Sequence, residues 1–452
     1  MNPRIPETAL SFLLAAAFAL AGDLLLAKRS SKLREWIESL LVGAGVSAAA
    51  LFPLSLAFPG YALGALALLL AAAAVTWIFV RYRARGLPKA GAPRPRVRPD
   101  PSSIVFFTIT LLAGLAFAVL NWRYVYLWDG FQIWAAKAQL LFYQGDLKAN
   151  LASGDYLNLK LAYPALVPMF EALLSKLRGG FDFNSLKPLF AVFYLSMVVA
   201  TYEAARPAAG RTGALAATAL LCLLPPVSTA ASAGGYADMP MAAYAAAVAA
   251  SFFAGDSLQG NRSLPWLIGG LTTVKSEGTI LAAICCIVAG AAALGRREPL
   301  KARAAAAFLA PPAVFVLLRI GYVRWVNSGD PTYASVNAWS IRRGVTRIPE
   351  VLRLAAEQLF DWKTWGLLWA AFFAAVILLF LSRPGWRLRT AAVATLLGLA
   401  SYTTVFLFTN WPVRLQIEQA YPRLLLQLAP AAAVILVSTF AAMTTTRGRP
   451  QE

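Results

Sequence analysis

The chain has 452 residues, 59% of them hydrophobic, and apolar runs of about 20 residues recur along it. This composition excludes a soluble globular protein, and since strand-type alternation is absent it also excludes a β-barrel. The predicted fold class is an all-α polytopic membrane protein with about 13 transmembrane helices. Lys and Arg outnumber Asp and Glu by 41 to 21. They are scattered between the spans, so they indicate cytoplasmic loops and anionic headgroups, and no nucleic acid.

The residue types limit the chemistry further. The chain contains no histidine, which removes imidazole acid–base catalysis, His–metal sites and Ser-His-Asp triads. The three cysteines, Cys222, Cys285 and Cys286, lie in apolar segments without metal-binding spacing. Any catalysis must therefore rest on carboxylates, Lys, Arg, Tyr or backbone groups.

The first three apolar runs, residues 8–27, 38–57 and 61–80, predict an N-terminal three-helix membrane appendage covering residues 1–80. Basic residues directly after the first run place that loop in the cytoplasm. A Pro-rich linker with seven Lys or Arg, residues 81–103, follows on the same side.

Residues 104–122 predict a span that leaves the membrane just before Asp129. After it, residues 128–144 show a helical pattern, with the apolar face Phe131, Trp134, Ala138, Leu141 and Phe142. The sequence leaves two interpretations of Asp129 open. It either caps this helix or is a reactive group held at the lipid surface.

Apolar runs and basic loops predict the rest of the topology. Residues 123–185 stay outside and include a second short helix after Pro164. Residues 264–294 have cytoplasmic flanks at both ends, which predicts two short helices with an external apex at Lys275–Gly278. A second external region covers about residues 325–362. The remaining predicted spans are 186–204, 213–231, one ending near 254, 304–324, 364–382, 390–410 and 424–443.

This topology places three acidic motifs on one membrane face, each at the external end of a span: Trp128-Asp129-Gly130, Tyr236-Ala237-Asp238-Met239-Pro240 and Lys275-Ser276-Glu277-Gly278. Charges at such a depth are costly unless they are paired or functional. The structural alternatives are that Asp238 caps the helix after it and that Lys275 and Glu277 snorkel to the surface. The spacing of Lys275 and Glu277 predicts a helix break with two separately aimed charges.

The order of these motifs resembles the GT-C superfamily of membrane glycosyltransferases, in its protein O-mannosyltransferase-like and lipid A aminoarabinose transferase-like branch. The resemblance rests on the first-loop acid, on a Tyr-Ala-Asp-Leu-Pro-like turn with Met239 for Leu, and on a Lys-Asn-Glu-Gly-like turn with Ser276 for Asn. It covers residues 104–324, about half the chain. The sequence departs from the pattern at Gly130, where relatives often carry a second acid, and in the loop before Tyr163, which lacks their His.

The resemblance implies a catalytic module at residues 104–324 and a variable region at 325–452. It implies transfer of a sugar from a polyprenyl-phosphate donor to an acceptor hydroxyl of a protein, lipid or polysaccharide on the extracytoplasmic face of a bacterial inner (plasma) membrane. A divalent cation is a possible cofactor, but no metal ligand is assigned. Asp129 is the implied general base, Lys275 the first choice to stabilise the leaving phosphate, and Asp238 and Glu277 orient the sugar or hold Lys275. Substrate-binding roles are assigned to Trp128, Lys137, Tyr163, Tyr236, Arg342, Arg343, Arg414 and Arg423. For Arg423 the alternative is headgroup anchoring.

Two other classes remain at the sequence level. A secondary transporter or flippase of an envelope lipid or glycan precursor also has about 12 helices with broken segments and intramembrane charges. Its charges, however, belong at the midplane and not at one face, and no internal repeat is visible. A non-catalytic scaffold of an envelope assembly is the third interpretation.

Overall fold

The computed structural model of the chain describes residues 4–26, 33–83, 100–123, 129–147, 160–182, 187–232, 235–254, 261–295, 302–326, 333–335, 337–382 and 385–447. Within these ranges the regular structure is helical, and the only extended pairing is an isolated antiparallel bridge between Tyr333 and Thr409. The all-α prediction is confirmed.

The helices follow most of the predicted spans, but the predicted span 213–231 is interrupted at residues 223 and 224. The first four are α1 (Arg4–Leu26), α2 (Leu33–Ala57), α3 (Ala62–Arg83) and α4 (Pro101–Arg123). Next come a π-helical turn (Gly130–Ala135), α5 (Ala136–Gln144), α6 (Leu166–Arg178), α7 (Pro188–Cys222), α8 (Pro225–Ser232), α9 (Asp238–Ala254), α10 (Ser263–Val274), α11 (Glu277–Gly295) and α12 (Ala302–Val326). The last are α13 (Ala338–Leu359), α14 (Trp362–Trp365), α15 (Leu368–Ser382), α16 (Trp386–Val405), a 3₁₀ turn (Phe406–Phe408) and α17 (Val413–Arg447).

Nine helices of the described ranges are long and apolar enough to cross a membrane, by length and composition: α1 to α4, α7, α11, α12, α16 with its 3₁₀ turn, and α17. Two shorter apolar helices, α10 and α15, accompany them. The chain is therefore a polytopic membrane protein, as predicted. The figure of about 13 crossings stays a prediction.

The helix α7 folds back on itself at Gly210. This residue has φ 67° and ψ −170° inside an otherwise helical segment, a conformation that glycine adopts without a Cβ clash. The Tyr194 hydroxyl donates a hydrogen bond to Cys222 Sγ over 3.2 Å, although 28 residues of straight helix would extend about 42 Å. The two arms are therefore antiparallel, which agrees with the predicted break between residues 204 and 213.

The predicted break between α10 and α11 is also present. Lys275 follows α10 in an extended conformation, with φ −144° and ψ 159°, and α11 begins at Glu277. A Cβ on Gly278 would lie 1.9 Å from the Leu271 carbonyl oxygen. Only glycine permits this close approach of the two helices at the apex.

The interfacial segment after Asp129 begins as a π-helix, not as the predicted α-helix. Ala136 N–H bonds to the Phe131 carbonyl, five residues back, so the wider first turn shifts the register of the side chains. Trp134, Ala138 and Leu141 are buried, whereas Phe131 is 48% exposed. The predicted α-helix was therefore wrong over this first turn, because a regular α-helical repeat was assumed from the first residue.

The three N-terminal helices pack directly on the rest of the bundle. The Tyr244 hydroxyl in α9 donates to the Leu41 carbonyl in α2 over 2.5 Å. At the other end, Gly60 N–H donates to Asp146 Oδ2 over 2.9 Å, beside the end of α5. The N-terminal unit thus braces the interfacial segment. Its domain boundaries stay a prediction, and linker residues 84–99 lie outside the described residues.

Candidate active site

The three acidic motifs converge on Arg423 of α17. Arg423 Nη1 donates to Asp129 Oδ2 over 2.5 Å, and its Nε donates to Asp238 Oδ2 over 2.8 Å. Its guanidinium carbon also lies 4.2 Å from the centre of the Tyr236 ring, which adds a cation–π contact. Arg423 is therefore not a surface headgroup anchor but the link between the first two motifs.

Asp238, the first residue of α9, is a buried and fully occupied carboxylate. Its Oδ1 accepts from Lys275 Nζ over 2.9 Å and from Gln427 Nε2 over 3.2 Å, while Oδ2 accepts from Arg423. Its side chain is 2% exposed. The helix-capping interpretation therefore does not describe its main role, which is to hold two cations in place.

Lys275 joins the second and third motifs. Besides Asp238, it contacts Glu277, with Nζ 3.5 Å from Oε1. The predicted helix break is present, but the prediction of two separately aimed charges was wrong. The extended conformation of Lys275 turns its side chain back toward the following helix start, so the two charges meet. Its side chain is only 7% exposed, which also contradicts snorkelling.

Gln427 and Tyr402 complete the buried network, and neither was singled out from the sequence. The Tyr402 hydroxyl donates to Gln427 Oε1 over 2.6 Å. This contact fixes the amide so that its NH₂ group faces Asp238. A signal for Gln427 was available, because it is a lone amide in the apolar run Leu424–Pro430, where a polar side chain needs a partner.

Asp129 differs from Asp238 in its surroundings. It has helical backbone angles and no capping hydrogen bond, so the capping interpretation is wrong. Its side chain is 27% exposed, and Arg423 is the one side-chain partner found for it in the described part of the chain. It is thus anchored at one oxygen and accessible at the surface of a cleft.

This cleft has a volume of about 540 Å³, including its open mouth. Its charged lining comprises the acids Asp129 and Glu277 and the cations Lys160, Lys275 and Arg423. The rest of the lining is Ile133, Trp134, Tyr163, Tyr333, Gln416, Ala420 and Leu424. An anionic group and a polyhydroxylated group can therefore find partners side by side in one cleft.

Lys160 was missed at the sequence level. Its backbone has φ 38°, the one positive φ found for a non-glycine residue in the described ranges, and its ammonium lies 5.1 Å from the Tyr163 ring centre. Such backbone strain tends to persist at functional sites. No sequence pattern marks it. Tyr163 lies in the cleft, as the assigned role requires, and Tyr236 lies against Arg423. Burial raises the pKa of the Tyr236 phenol, while Arg423 acts in the opposite direction.

Lys137 is not in the cleft. It is fully buried, and its Nζ donates to the Leu161 carbonyl over 2.9 Å, to the Tyr322 hydroxyl over 2.7 Å and to the Tyr163 carbonyl. Burial lowers the pKa of Lys137 well below its ordinary value, and Arg319 lowers it further. Its amine binds the loop that carries Tyr163, so the structure does not bring it to a substrate.

The other assigned arginines also lie apart from the network. Arg343 Nη2 donates to the Thr409 carbonyl over 3.0 Å, and Arg342 is exposed on the same helix, α13. Arg414 forms an exposed pair with Glu418 at 3.3 Å. Trp128 lies outside the described residues.

A larger cavity, of about 740 Å³ including its open mouth, lies between α9, α10, α11, α16 and α17. It is bordered almost entirely by Ala, Leu, Ile, Val and Phe side chains. None of its described lining residues is charged.

The donor set does not fit the possible divalent cation. The described residues contain no group of three or more His, Cys, Asp or Glu side chains able to hold a metal ion. Both oxygens of Asp238 are engaged by cationic or amide donors, and Mg²⁺ or Ca²⁺ needs several free oxygen ligands.

Comparison with known proteins adds a distant likeness. No protein-family model matches the chain, and no curated protein matches it. Two solved structures are similar to it: ArnT from Cupriavidus metallidurans in the apo state (16% identity, TM-score 0.47) and the same protein bound to undecaprenyl phosphate (16% identity, TM-score 0.48). Each alignment covers 74% of this chain, and the chain spans 59% of the length of those structures.

Proposed function

We propose that the protein is a membrane glycosyltransferase of the GT-C type, which moves a sugar from a polyprenyl-phosphate donor to an acceptor hydroxyl with Asp129 as general base. The observation that supports this most is the unequal state of the two aspartates bound by Arg423. Asp238 is buried and saturated by three donors, whereas Asp129 is partly exposed in a cleft and held at one oxygen. One acid organises cations, and the other is available to take a proton.

The proposed step is a displacement at the anomeric carbon. The acceptor oxygen forms a bond to that carbon while the bond from the carbon to the phosphate oxygen breaks. The acceptor proton passes to the Asp129 carboxylate, and polyprenyl phosphate leaves with the electron pair of the broken bond. Because the sugar passes through an oxocarbenium-like state, a carboxylate placed at the acceptor side helps both by proton transfer and by charge.

The departing phosphate needs cations where its negative charge grows. Arg423 and Lys160 line the cleft and are partly exposed, so they are the candidates to bind the phosphate. Lys275 also lines the cleft, but its side chain is only 7% exposed. Lys275 was the first choice from the sequence, but its ammonium is engaged by Asp238 and Glu277. Its proposed role is therefore to hold these acids, with Arg423 and Lys160 nearest to the phosphate.

The transporter alternative requires ionisable groups near the bilayer midplane. Three charged members of the network lie instead at helix ends. Asp238 and Glu277 are the first residues of α9 and α11, and Lys275 directly follows α10. Charges at one end of the bundle favour a reaction at the membrane surface. By the distribution of Lys and Arg, this end faces outward, so we place the reaction on the extracytoplasmic side of the inner membrane.

The test is release of polyprenyl phosphate by the purified protein in detergent, supplied with mixed polyprenyl-phosphate sugars and membrane acceptors. The wild type is compared with Asp129→Asn and with Asp182→Asn. The exposed Asp182 carboxylate pairs with Arg178 over 3.2 Å, and neither residue lines the cleft. Release by the wild type and by Asp182→Asn but not by Asp129→Asn supports the proposal. Equal release by all three proteins refutes Asp129 as the base.

A further inference from the structure

A second basic site lies outside the cleft, around Arg319 of α12. Arg319 is seven residues from the external end of this apolar helix, about 10 Å along its axis. A guanidinium at this depth in a lipid-facing helix needs a counter-charge or polar partners. The site is not used by the proposed reaction, so its partner has to be sought separately.

The protein satisfies this guanidinium only in part. Arg319 Nη2 donates to Ser276 Oγ over 3.3 Å, a long hydrogen bond, and the guanidinium lies 5.7 Å from the Tyr322 ring centre. Its Nη1 is buried and has no hydrogen-bond partner among the described residues. A buried donor of a charged group without an acceptor is unfavourable, which indicates a missing acceptor.

The local charge is also unbalanced. Tyr322 contacts two basic side chains, because Lys137 Nζ donates to its hydroxyl while Arg319 lies beside its ring. Glu277 is close enough to affect Arg319, but Lys275 engages its carboxylate. Within the described part of the chain, no ion pair joins Arg319 to an acid. An anion is therefore the ligand that this arrangement favours.

Arg319 borders a cavity between α2 and α12 whose volume is about 350 Å³, including its open mouth. Ala49 and Phe52 of α2, Thr272 of α10 and Leu318 of α12 are among the other lining residues, and Arg319 is the one charged member. Ala49 and Phe52 on α2 and Leu318 on α12, which line the cavity, are each partly exposed, so the cavity meets the surface between these two apolar helices. An anion that enters here comes with an apolar chain, because the approach is through the lipid face.

We propose that this cavity binds an anionic lipid, with its phosphate on Arg319 and its acyl chains along α2 and α12. One wall of the site comes from the N-terminal three-helix unit, so that unit completes a lipid site at its junction with the rest of the bundle. Through Ser276 the bound phosphate also steadies the turn that carries Lys275 and Glu277. The inference does not rest on the proposed glycosyl transfer, because lipid binding is measured without turnover.

The experiment is native mass spectrometry of the full chain in detergent, titrated with dioleoyl phosphatidylglycerol and, separately, with dioleoyl phosphatidylcholine. The variants are Arg319→Gln, Arg324→Gln as an exposed arginine on the same helix, and Ala49→Phe, which fills the cavity and leaves Arg319 in place. We expect the tightest phosphatidylglycerol site to weaken at least about tenfold in Arg319→Gln and in Ala49→Phe, since a charge-assisted contact contributes that much. Arg324→Gln should bind like the wild type.

Three outcomes would overturn the inference. Unchanged phosphatidylglycerol binding by folded Arg319→Gln or Ala49→Phe would exclude this cavity. Equal binding of phosphatidylcholine by the wild type would exclude selection for an anion. If millimolar inorganic phosphate displaced phosphatidylglycerol, the acyl chains would add nothing to the affinity. That result would assign the site to a soluble anion. A gel-filtration profile matching the wild type is required of each variant, and the two independent variants keep the test decisive if one of them misfolds.

Discussion

Arg423 Nη1 lies 2.5 Å from Asp129 Oδ2, although the two residues are 294 positions apart. The same guanidinium uses Nε to bind Asp238. A single side chain of α17 therefore ties the first external loop to the start of α9, and it holds the two acids in different states. Asp129 stays partly exposed, while Asp238 is enclosed by donors. This difference gives the two carboxylates separable effects on activity and on stability.

Asp129→Asn is expected to abolish turnover and to leave the fold intact. Removal of a general base lowers rates about 10²- to 10⁴-fold, whereas a partly exposed ion pair contributes about 1 kcal/mol or less to stability. The measurements are polyprenyl phosphate release and the thermal unfolding midpoint in detergent. Asp182→Asn serves as the control and should change neither. A variant that unfolds at a clearly lower temperature would instead indicate that Asp129 is structural.

Asp238→Asn should reduce stability as well as activity. It leaves Lys275 and Arg423 buried or half-buried with less compensating charge, and breaking a buried ion pair costs about 3–5 kcal/mol. The thermal unfolding midpoint should therefore fall well below that of Asp129→Asn.

Lys275→Met added to Asp238→Asn provides the matched comparison. Because the second change removes a stranded cation, the double variant should be more stable than Asp238→Asn alone. The loss of stability in the double variant is compared with the sum of the losses in Asp238→Asn and Lys275→Met alone. If the two values are equal, the coupling between Asp238 and Lys275 that the 2.9 Å contact implies is absent.

Arg423→Lys should inactivate the protein even though the charge is kept. Arg423 binds two acids through different nitrogens of its fork, and a lysine ammonium on its flexible stem does not reproduce that planar geometry. Loss of one preorganised cationic donor lowers kcat by about 10²- to 10³-fold. Arg414→Lys in the same helix, at the exposed pair with Glu418, should retain full activity. Full activity of Arg423→Lys would show that charge alone is sufficient there.

Tyr402→Phe should impair catalysis through Gln427. The lost hydroxyl leaves Gln427 Oε1 without its 2.6 Å donor, and an unsatisfied buried acceptor costs about 1–3 kcal/mol. The amide is then free to rotate and to withdraw its NH₂ group from Asp238. Activity and thermal midpoint are both measured.

Tyr421→Phe is the matched control for Tyr402→Phe. Its hydroxyl shares a 2.8 Å hydrogen bond with Thr403 between the same two helices, α16 and α17, but it has no link to Asp238. We expect similar stability losses and a drop in activity for Tyr402→Phe only. Equal activity losses would assign the effect to helix packing.

The sequence predicted the helices and the positions of the acidic motifs well, because apolar runs and basic loops follow directly from the solvent properties of the bilayer. It did not predict contacts across the bundle. Nothing local to Gln427 or Lys160 specifies their partners, and the choice of Arg423 over Arg414 depends on how α17 packs. The π-helical first turn of residues 130–135 was missed for another reason, since such a turn leaves no periodic signature in six residues.

The helix in the second external region, about residues 325–362, was also not predicted from the sequence. This helix is α13, and Asn337 and Ser340 form a reciprocal capping box at its start. The apolar residues Ile341, Val345 and Leu352 lie exposed along it, so the pattern is that of a helix at the membrane interface. Residues 325–362 were assigned to an external region because the preceding span leads outward, a criterion that does not detect interfacial helices.

The buried amine of Lys137 should make the stability of the protein depend on pH. Burial lowers the pKa of Lys137 well below its ordinary value, so over the range between that lowered pKa and about 10.4, the pKa of an unfolded lysine, the unfolded chain binds the extra proton. Stability from this group therefore rises with pH across that window, by at most about 1.4 kcal/mol per pH unit. Lys137→Met removes the titrating amine and should flatten the dependence of stability on pH.

The measurement is the thermal midpoint of both proteins in detergent at a series of pH values from 7 to about 10. Only the difference between the two slopes is attributed to Lys137 and its hydrogen bond to Tyr322, because all remaining titratable groups are common to both proteins. Parallel curves would mean that Lys137 keeps its proton in the folded state, held there by the Leu161 and Tyr163 carbonyls.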